Sequence, residues 1–351
     1  MSTAFFMVCL SPLKGYEDAF TGGITFKKTV ESFVPMDVAC GQCLGCRLDY
    51  GLMWSVRIGH EASLYRSLGG SCMVTLTYRD RRECSLEQLR KQKHVPDDWS
   101  LHLSHFQNFM KRLRKTTRRK LRYFHVGEYG RKCRHGYDVE MEKCVHGCRL
   151  GRPHYHACLF NEDFSDDLVP YGSDFGEMRF TSPRLAETWG FGFVDVSDLN
   201  FTTAAYVARY ILKKVNGVRA WDHYYATDLD GKAIQLQREY ATMSRGGICE
   251  ECGERSCKNA PGGIGKKWFE LYKGDVFPAD EVPVLGKGVL KKVPRFYEEL
   301  FKIERPLKLE EIKEIRKKYK KENPREFEPD RLEAKFKCMK ARLELRTRRR
   351  L

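Results

Sequence analysis

From residue 71 the chain switches repeatedly between the two periods that separate strands from helices. SCMVTLTYRD (71–80) is β-branched and apolar until it runs out in Tyr78-Arg79-Asp80, and it reads as a strand. In SLHLSHFQNFMKRLRK (100–115), Leu103, Phe106, Phe109, Met110 and Leu113 recur every three or four positions, which predicts a helix. RYFHVGEYG (122–130) and PHYHACLF (153–160) read as further strands. SPRLAETWG (182–190) predicts a short helix opened by Ser182 and Pro183, and FGFVDVSDL (191–199) alternates as a strand does. NFTTAAYVARYILKKVNG (200–217) predicts a helix with Asn200 or Thr202 as N-cap and Asn216-Gly217 as its stop. The order is thus β-α-β-β-α-β-α. Adjacent strands imply antiparallel pairing, so the expected fold class is α+β: a central antiparallel sheet with helices packed on one side.

Outside this core, over 71–217, the pattern weakens. Residues 1–70 form an N-terminal segment, and 218–300 a loop-rich accessory region that includes SRGGICEECGERSCKNAPGGIGKKWFE. A charged, helix-prone tail covers 301–351. No internal repeat is apparent. No apolar run approaches the ~18 residues of a membrane span, so no membrane partner is expected. The N-terminus lacks a basic start before its short apolar stretch, which argues against a signal peptide.

Charge changes the picture first. The formal balance is +16, and the tail alone holds 19 Lys and Arg against 10 Asp and Glu. KRLRKTTRRKLR (111–122) carries Lys111, Arg112, Arg114, Lys115, Arg118, Arg119, Lys120 and Arg122 with no acidic residue. Such a surface suits a polyanion, most often nucleic acid held through its phosphates. A basic ribosomal or membrane-surface protein would share the composition, so charge alone leaves the class open.

Fourteen cysteines in a chain without secretory features point to metal ligation rather than disulfides. Three clusters stand out: Cys40, Cys43 and Cys46; Cys133, Cys144 and Cys148, with His135 and His146 nearby; and Cys249, Cys252 and Cys257. The first set has zinc-ligand spacing but only three thiolates, so its fourth ligand is unassigned. The second and third could complement each other in one structural zinc site, or all could be inert thiols. An iron–sulfur cluster rests on spacing alone. Cys9, Cys72, Cys84, Cys158 and Cys338 are scattered and read as small apolar residues.

In PHYHACLF, His154 and His156 project from one face of a strand while Tyr155 and Ala157 project from the other. Two adjacent imidazoles suit a divalent metal, although an isolated pair is also compatible with a plain surface. If strand 122–130 pairs with this one, Glu128 of VGEYG reaches the same ion. In AAYVARYILKK, Tyr206 and Tyr210 lie four apart on one helix face, with Lys213 and Lys214 beyond them. They could simply pack in a core. Beside a metal, a tyrosine hydroxyl can instead attack a DNA phosphodiester, and a lysine can neutralise the phosphate.

Jointly these segments resemble the HUH-superfamily endonucleases that initiate rolling-circle replication. Within them the likeness is to initiators of single-stranded DNA phages of the gokushovirus type in the Microviridae. It is carried by CGQCLGCRLDYGLMWSVRIGHEA (40–62), VTLTYRD (74–80), VGEYG (126–130), RPHYH (152–156), YVARYILKK (206–214), MSR (243–245), PGGIGKKWFELYKGDVFP (261–278) and GVLKKVPRFYEE (288–299). It implies His154 and His156 as metal ligands, Tyr206 and Tyr210 as paired nucleophiles, and Lys213 or Lys214 as the neighbouring lysine. Glu128 matches by position, and Asp80 is either a polar neighbour or a strand end.

The implied protein is a metal-dependent endonuclease and strand-joining enzyme working through a phosphotyrosine intermediate with Mg²⁺ or Mn²⁺. Its expected partners are the phage DNA origin and a host helicase and polymerase, in the cytoplasm of the bacterial host; the sequence itself has no Walker-type loop. Two cysteine-bearing insertions, 131–150 and GGICEECGERSCKNA, depart from the pattern. Alternatives are a plasmid initiator or transposase of the same chemistry, or a non-catalytic zinc-stabilised nucleic-acid-binding protein.

Overall fold

A computed structural model of the chain describes residues 9–18, 23–27, 33–139, 144–145, 148–174, 177–209, 214–227, 232–246, 252, 262–284, 286, 288–290 and 292–348. The chain divides into two compact units: residues 1–53, 274–283 and 289–351 in one, and residues 54–273 and 284–288 in the other.

Strands β1 (Leu13–Asp18), β2 (Ile24–Thr25) and β3 (Phe33–Val38) form a small antiparallel sheet in the order β2-β1-β3. Helix α1 (Leu44–Ser63) follows, then β4 (Ser71–Tyr78), α2 (Leu86–Arg90), α3 (Leu103–Thr117), β5 (Arg122–Tyr129) and β6 (Pro153–Phe160). Next come β7 (Val169–Asp174), β8 (Glu177–Thr181), α4 (Pro183–Trp189), β9 (Gly192–Asp198) and α5 (Phe201–Arg209). A short helix α6 (Arg219–His223) and the hairpin β10 (Tyr225–Thr227) and β11 (Ala233–Gln235) lead to β12 (Tyr240–Met243). Helices α7 (Lys266–Val276), α8 (Arg295–Glu304), α9 (Pro306–Glu322) and α10 (Pro329–Arg348) complete the helical set, the last two within the basic tail.

The larger unit is built on a seven-stranded sheet in the order β12-β5-β6-β4-β9-β8-β7, antiparallel at every pairing. The α+β expectation is met, with two differences. Helices cover both faces, not one. Phe106, Phe109, Met110 and Leu113 of α3, with Leu185 and Trp189 of α4, pack on Leu76, Tyr155, Ala157 and Leu159. On the opposite face Trp54, Ile58 and Ala62 of α1 and Ala204, Val207 and Ala208 of α5 pack on Met73, Phe124, Val126, Cys158 and Phe160. The signal for this was the unbroken run Ala157-Cys158-Leu159-Phe160: a strand buried on both faces loses its alternation.

The sheet is also wider than expected. Hairpin β7–β8 lies at one edge, with Val169, Tyr171 and Met178 exposed, so no apolar alternation marked it. At the other edge, β12 pairs with β5 from inside the loop-rich region, through Tyr240↔Gly127 to Met243↔Phe124.

Local chemistry explains the remaining boundaries. Asn200 is the N-cap of α5: its Oδ1 accepts from the amides of Thr202 (2.8 Å) and Thr203 (3.0 Å), while Thr203 Oγ1 accepts from the amide of Asn200 at 2.9 Å. The described part of this helix ends at Arg209, and residues 214–216 are not helical, so the element is shorter than the predicted 200–217. Ser182 caps α4 by accepting from the amide of Leu185 at 3.0 Å. The segment Gly262–Gly265 is latched to the sheet unit by three side chains: Arg57 donates to Ile264 O (2.9 Å), Arg122 to Gly262 O (3.0 Å), and Glu61 accepts from Gly265 N (2.7 Å).

Candidate metal centre and nucleophile helix

The register of the central strands creates the site. Glu128 on β5 stands opposite His154 on β6, and Thr75 on β4 stands opposite His156. Opposed residues share a face, so Glu128, His154, His156 and Thr75 all project to the side covered by α5. One oxygen of Glu128, Oε1, lies 2.7 Å from His154 Nε2 and 3.1 Å from His156 Nε2. The two imidazoles are nearly perpendicular, with centroids 4.9 Å apart. Glu128 and His156 are buried, and the His154 side chain keeps 16% exposure.

The outer ring nitrogens are also engaged. His156 Nδ1 is 2.9 Å from Thr75 Oγ1, and His154 Nδ1 is 3.2 Å from the carbonyl oxygen of Arg152. A carbonyl can only accept, so His154 Nδ1 carries the proton in that bond. The Nε2 of a neutral His154 then aims its lone pair at a carboxylate oxygen 2.7 Å away. That contact is repulsive unless a proton or a cation stands there. Burial alone would push the Glu128 carboxyl up, but the positive character of His154 and His156 outweighs it and holds the group well below the usual carboxylate range.

The trio fits a divalent ion. Its three ligand atoms lie within 4.8 Å of one another, and the donor set is one carboxylate and two imidazoles. With metal–ligand bonds of about 2.1 Å, neighbouring ligands of an octahedral site are about 3.0 Å apart. The 2.7 and 3.1 Å separations bracket that edge. Ring nitrogens held from behind by Thr75 and Arg152 are the usual means of fixing a ligating tautomer.

Tyr206 stands on α5 with its ring perpendicular to His156, centroids 5.6 Å apart. The Arg209 guanidinium lies 5.9 Å from the same ring. Of the other residues expected here, Tyr210 and Lys213 lie outside the described residues, and Lys214 is half-buried in irregular backbone. Asp80 is a strand-end residue: it caps the turn after β4 by accepting from Arg82 N (3.1 Å) and pairs with Arg152 at 3.2 Å.

The basic run divides by burial. Arg122 pairs with buried Glu61 at 2.8 Å, and Arg112 donates to the backbone oxygens of Thr188 and Trp189. Arg114 donates to Leu121 O at 3.3 Å, and Arg119 sits 3.6 Å from Glu162. Lys111, Lys115, Arg118 and Lys120 are exposed.

Two cysteine sets converge. Cys40, Cys43 and Cys46 are joined by Cys9, which corrects its reading as a scattered apolar residue. Cys133, Cys144 and Cys148 are joined by His135. His146, Cys249 and Cys257 lie outside the described residues, and Cys252 is exposed.

The replication-associated protein ORF2 family matches residues 71–215. The replication-associated protein VP4 of Bdellovibrio phage phiMH2K is 28% identical over 305 residues, 86% of this chain and 79% of that one. The replication-associated protein ORF2 of Spiroplasma virus 4 is 30% identical over 309 residues, 83% of this chain and 79% of that one. The chain belongs to the replication-associated proteins of Microviridae phages. A further member, replication-associated protein ORF4 of Chlamydia phage 1, is 29% identical over 188 residues, covering 51% of this chain and 41% of that protein. No solved structure matches. Within this replication-associated protein, the family match at 71–215 takes in Glu128, His154, His156, Tyr206 and Tyr210, and leaves out the Cys9–Cys46 set and the basic tail. No described helix is long and apolar enough to cross a membrane.

Three contributors escaped the sequence reading. Thr75 is one of many strand threonines, the Arg152 carbonyl leaves no trace in a side-chain pattern, and Cys9 has no neighbour in spacing.

Proposed function

We propose that this protein initiates replication of the phage genome by nicking and rejoining single-stranded DNA at the origin. The observation that carries the reading is Tyr206 placed on His156, within a trio whose three ligand atoms converge. A divalent cation held by Glu128, His154 and His156, Mg²⁺ or Mn²⁺, would draw charge from the scissile phosphate. The chain's own residues supply the rest. The Tyr206 hydroxyl attacks phosphorus, a phosphotyrosine bond to the 5′ side forms, and the 3′ oxygen leaves as a free hydroxyl for host polymerase. The phosphodiester energy is kept in the tyrosine ester, so rejoining needs no nucleotide cofactor. Tyr210 is the second nucleophile, and Lys213 or Lys214 neutralises the phosphate. The exposed lysines and arginines of 111–120 hold phosphates without reading bases. Strand separation falls to a host helicase, and the work takes place in the cytoplasm of the bacterial host.

The test is incubation of the purified protein with labelled origin-bearing single strands. A denaturation-resistant protein–DNA adduct is expected with Mn²⁺ or Mg²⁺, and none in excess EDTA or with His154→Ala or His156→Ala. DNA binding without any adduct would favour the non-catalytic alternative, for which the cysteine sets speak. Full cleavage by either histidine variant would overturn the metal site.

A further inference from the structure

We infer that the chain holds two structural zinc ions apart from the Glu128 trio, one on Cys9, Cys40, Cys43 and Cys46 and one on Cys133, His135, Cys144 and Cys148. In each set all four ligand atoms lie within 4.8 Å of one another. A tetrahedral zinc with Zn–S bonds of about 2.3 Å requires sulfurs about 3.8 Å apart. Cys9 Sγ and Cys43 Sγ are separated by 3.9 Å, and Cys133 Sγ and Cys144 Sγ by 3.8 Å. His135 Nδ1 stands 3.8 Å from Cys144 Sγ and 3.2 Å from Cys148 Sγ. These are the edges of a tetrahedron that one ion fills without moving its ligands.

The competing occupants fit less well. A disulfide would draw one sulfur pair to about 2.05 Å and break the fourfold convergence. A multi-iron cluster puts thiolates on different irons and spreads them more widely than a single tetrahedron.

The first set carries a second, independent mark. Backbone amides point at its sulfurs: Cys40 N at Cys9 Sγ (3.2 Å), Leu10 N at Cys43 Sγ (3.3 Å), Cys43 N at Cys40 Sγ (3.3 Å) and Cys46 N at Cys43 Sγ (3.5 Å). Amides turned onto a sulfur stabilise thiolate, the form that binds metal, and they do so from outside the ligand shell.

The second set acts on the β5–β6 connection. The two strands keep pairing past their ends, with Gly130 N donating to Arg152 O at 2.9 Å and Arg152 N to Lys132 O at 2.8 Å. A tight turn follows, in which Gly136 N donates to Cys133 O at 3.0 Å and Cys133 N to Tyr137 O at 3.0 Å. A cation bridging Cys133 and Cys148 closes the loop beyond that turn and removes its freedom. Glu128 and His154 sit at the root of this loop, so the ion braces the strand ends that carry them.

Native mass spectrometry of the full chain, purified without chelator under reducing conditions, tests this. Two zinc ions per chain are expected in the wild type and in His154→Ala, which separates these sites from the proposed catalytic metal. Cys9→Ser and Cys144→Ser should each retain one, their combination none, and Cys252→Ser two. A wild type that carries no zinc yet keeps its melting temperature would overturn the inference, as would two ions surviving in the combined variant or iron in their place. Should the variants not fold, cobalt exchange into the wild type decides. Intense sulfur-to-cobalt charge-transfer bands at two equivalents support both sites, and their absence refutes them.

Discussion

At the scale of single residues, His154 poses the sharpest constraint, because both of its ring nitrogens face acceptors. The same logic gives Thr75 a role: its hydroxyl is 2.9 Å from His156 Nδ1 and turns the other nitrogen toward Glu128. Thr75→Val keeps the strand shape and removes that partner. The expected result is a rise of about 10- to 100-fold in the Mn²⁺ needed for half-maximal cleavage, with a change in melting temperature worth no more than about 1 kcal/mol. Glu128→Gln should raise the same metal requirement without unfolding the chain; an unmoved titration would remove Glu128 from the ligand set. The trio was legible because strand parity fixes which residues share a face, and parity can be read from sequence. Cys9 was not, since nothing in spacing joins it to Cys40. The link is the antiparallel pairing Leu13↔Val38, which folds the residues before β1 alongside those after β3.

At the scale of elements, Arg122 shows how a charge that reads as nucleic-acid binding can belong to the scaffold. It begins β5, yet its guanidinium meets Glu61 of α1, whose side chain is 2% exposed. Burial pushes the Glu61 carboxyl up and Arg122 pulls it partly back. The native state therefore binds this proton more tightly than the unfolded chain does. Its contribution to stability is present below the ordinary carboxylate range and is lost as pH rises through the folded value. Arg122→Met leaves Glu61 buried with its closest cation removed, which costs about 3–5 kcal/mol near neutrality. Protonating Glu61 relieves that cost. Thermal melts should then show a wild-type-minus-variant gap that is wide at pH 8 and narrows toward pH 5; a gap independent of pH would mean that Glu61 does not sense Arg122. Lys115→Ala, on an exposed position of α3, should instead leave the melt unchanged and weaken DNA binding. Helices α3 and α4 and strands β4, β5, β6 and β9 were legible because each turns a regular apolar face inward. Hairpin β7–β8 and strand β12 were not, since edge strands bury too little to imprint a period.

At the scale of the whole molecule, a net charge of +16 lets the protein hold DNA while its catalytic residues are engaged, and the closing of a circle requires that hold to persist through two cleavages. Tyr206 and Tyr210 lie one helical turn apart in the sequence pattern, so each is a candidate for the phosphate at the trio. Only one can be esterified at a time. After one round of synthesis the regenerated origin must be cut while the first tyrosine is still bound to the old 5′ end, and the second hydroxyl serves that cut. The freed 3′ hydroxyl then attacks the first phosphotyrosine, releasing the tyrosine and closing the circle with no net loss of phosphodiester bonds. Phenylalanine preserves ring packing, including the perpendicular contact of Tyr206 with His156, and removes only the nucleophile. Tyr206→Phe and Tyr210→Phe should therefore each retain single-turnover cleavage of an origin strand but release few closed circles. The double variant should bind origin DNA with wild-type salt dependence and form no adduct. Cleavage by the double variant would place the nucleophile elsewhere in the chain. If one single variant is inert and the other releases circles at the wild-type rate, one tyrosine performs both cuts and its neighbour serves only in packing.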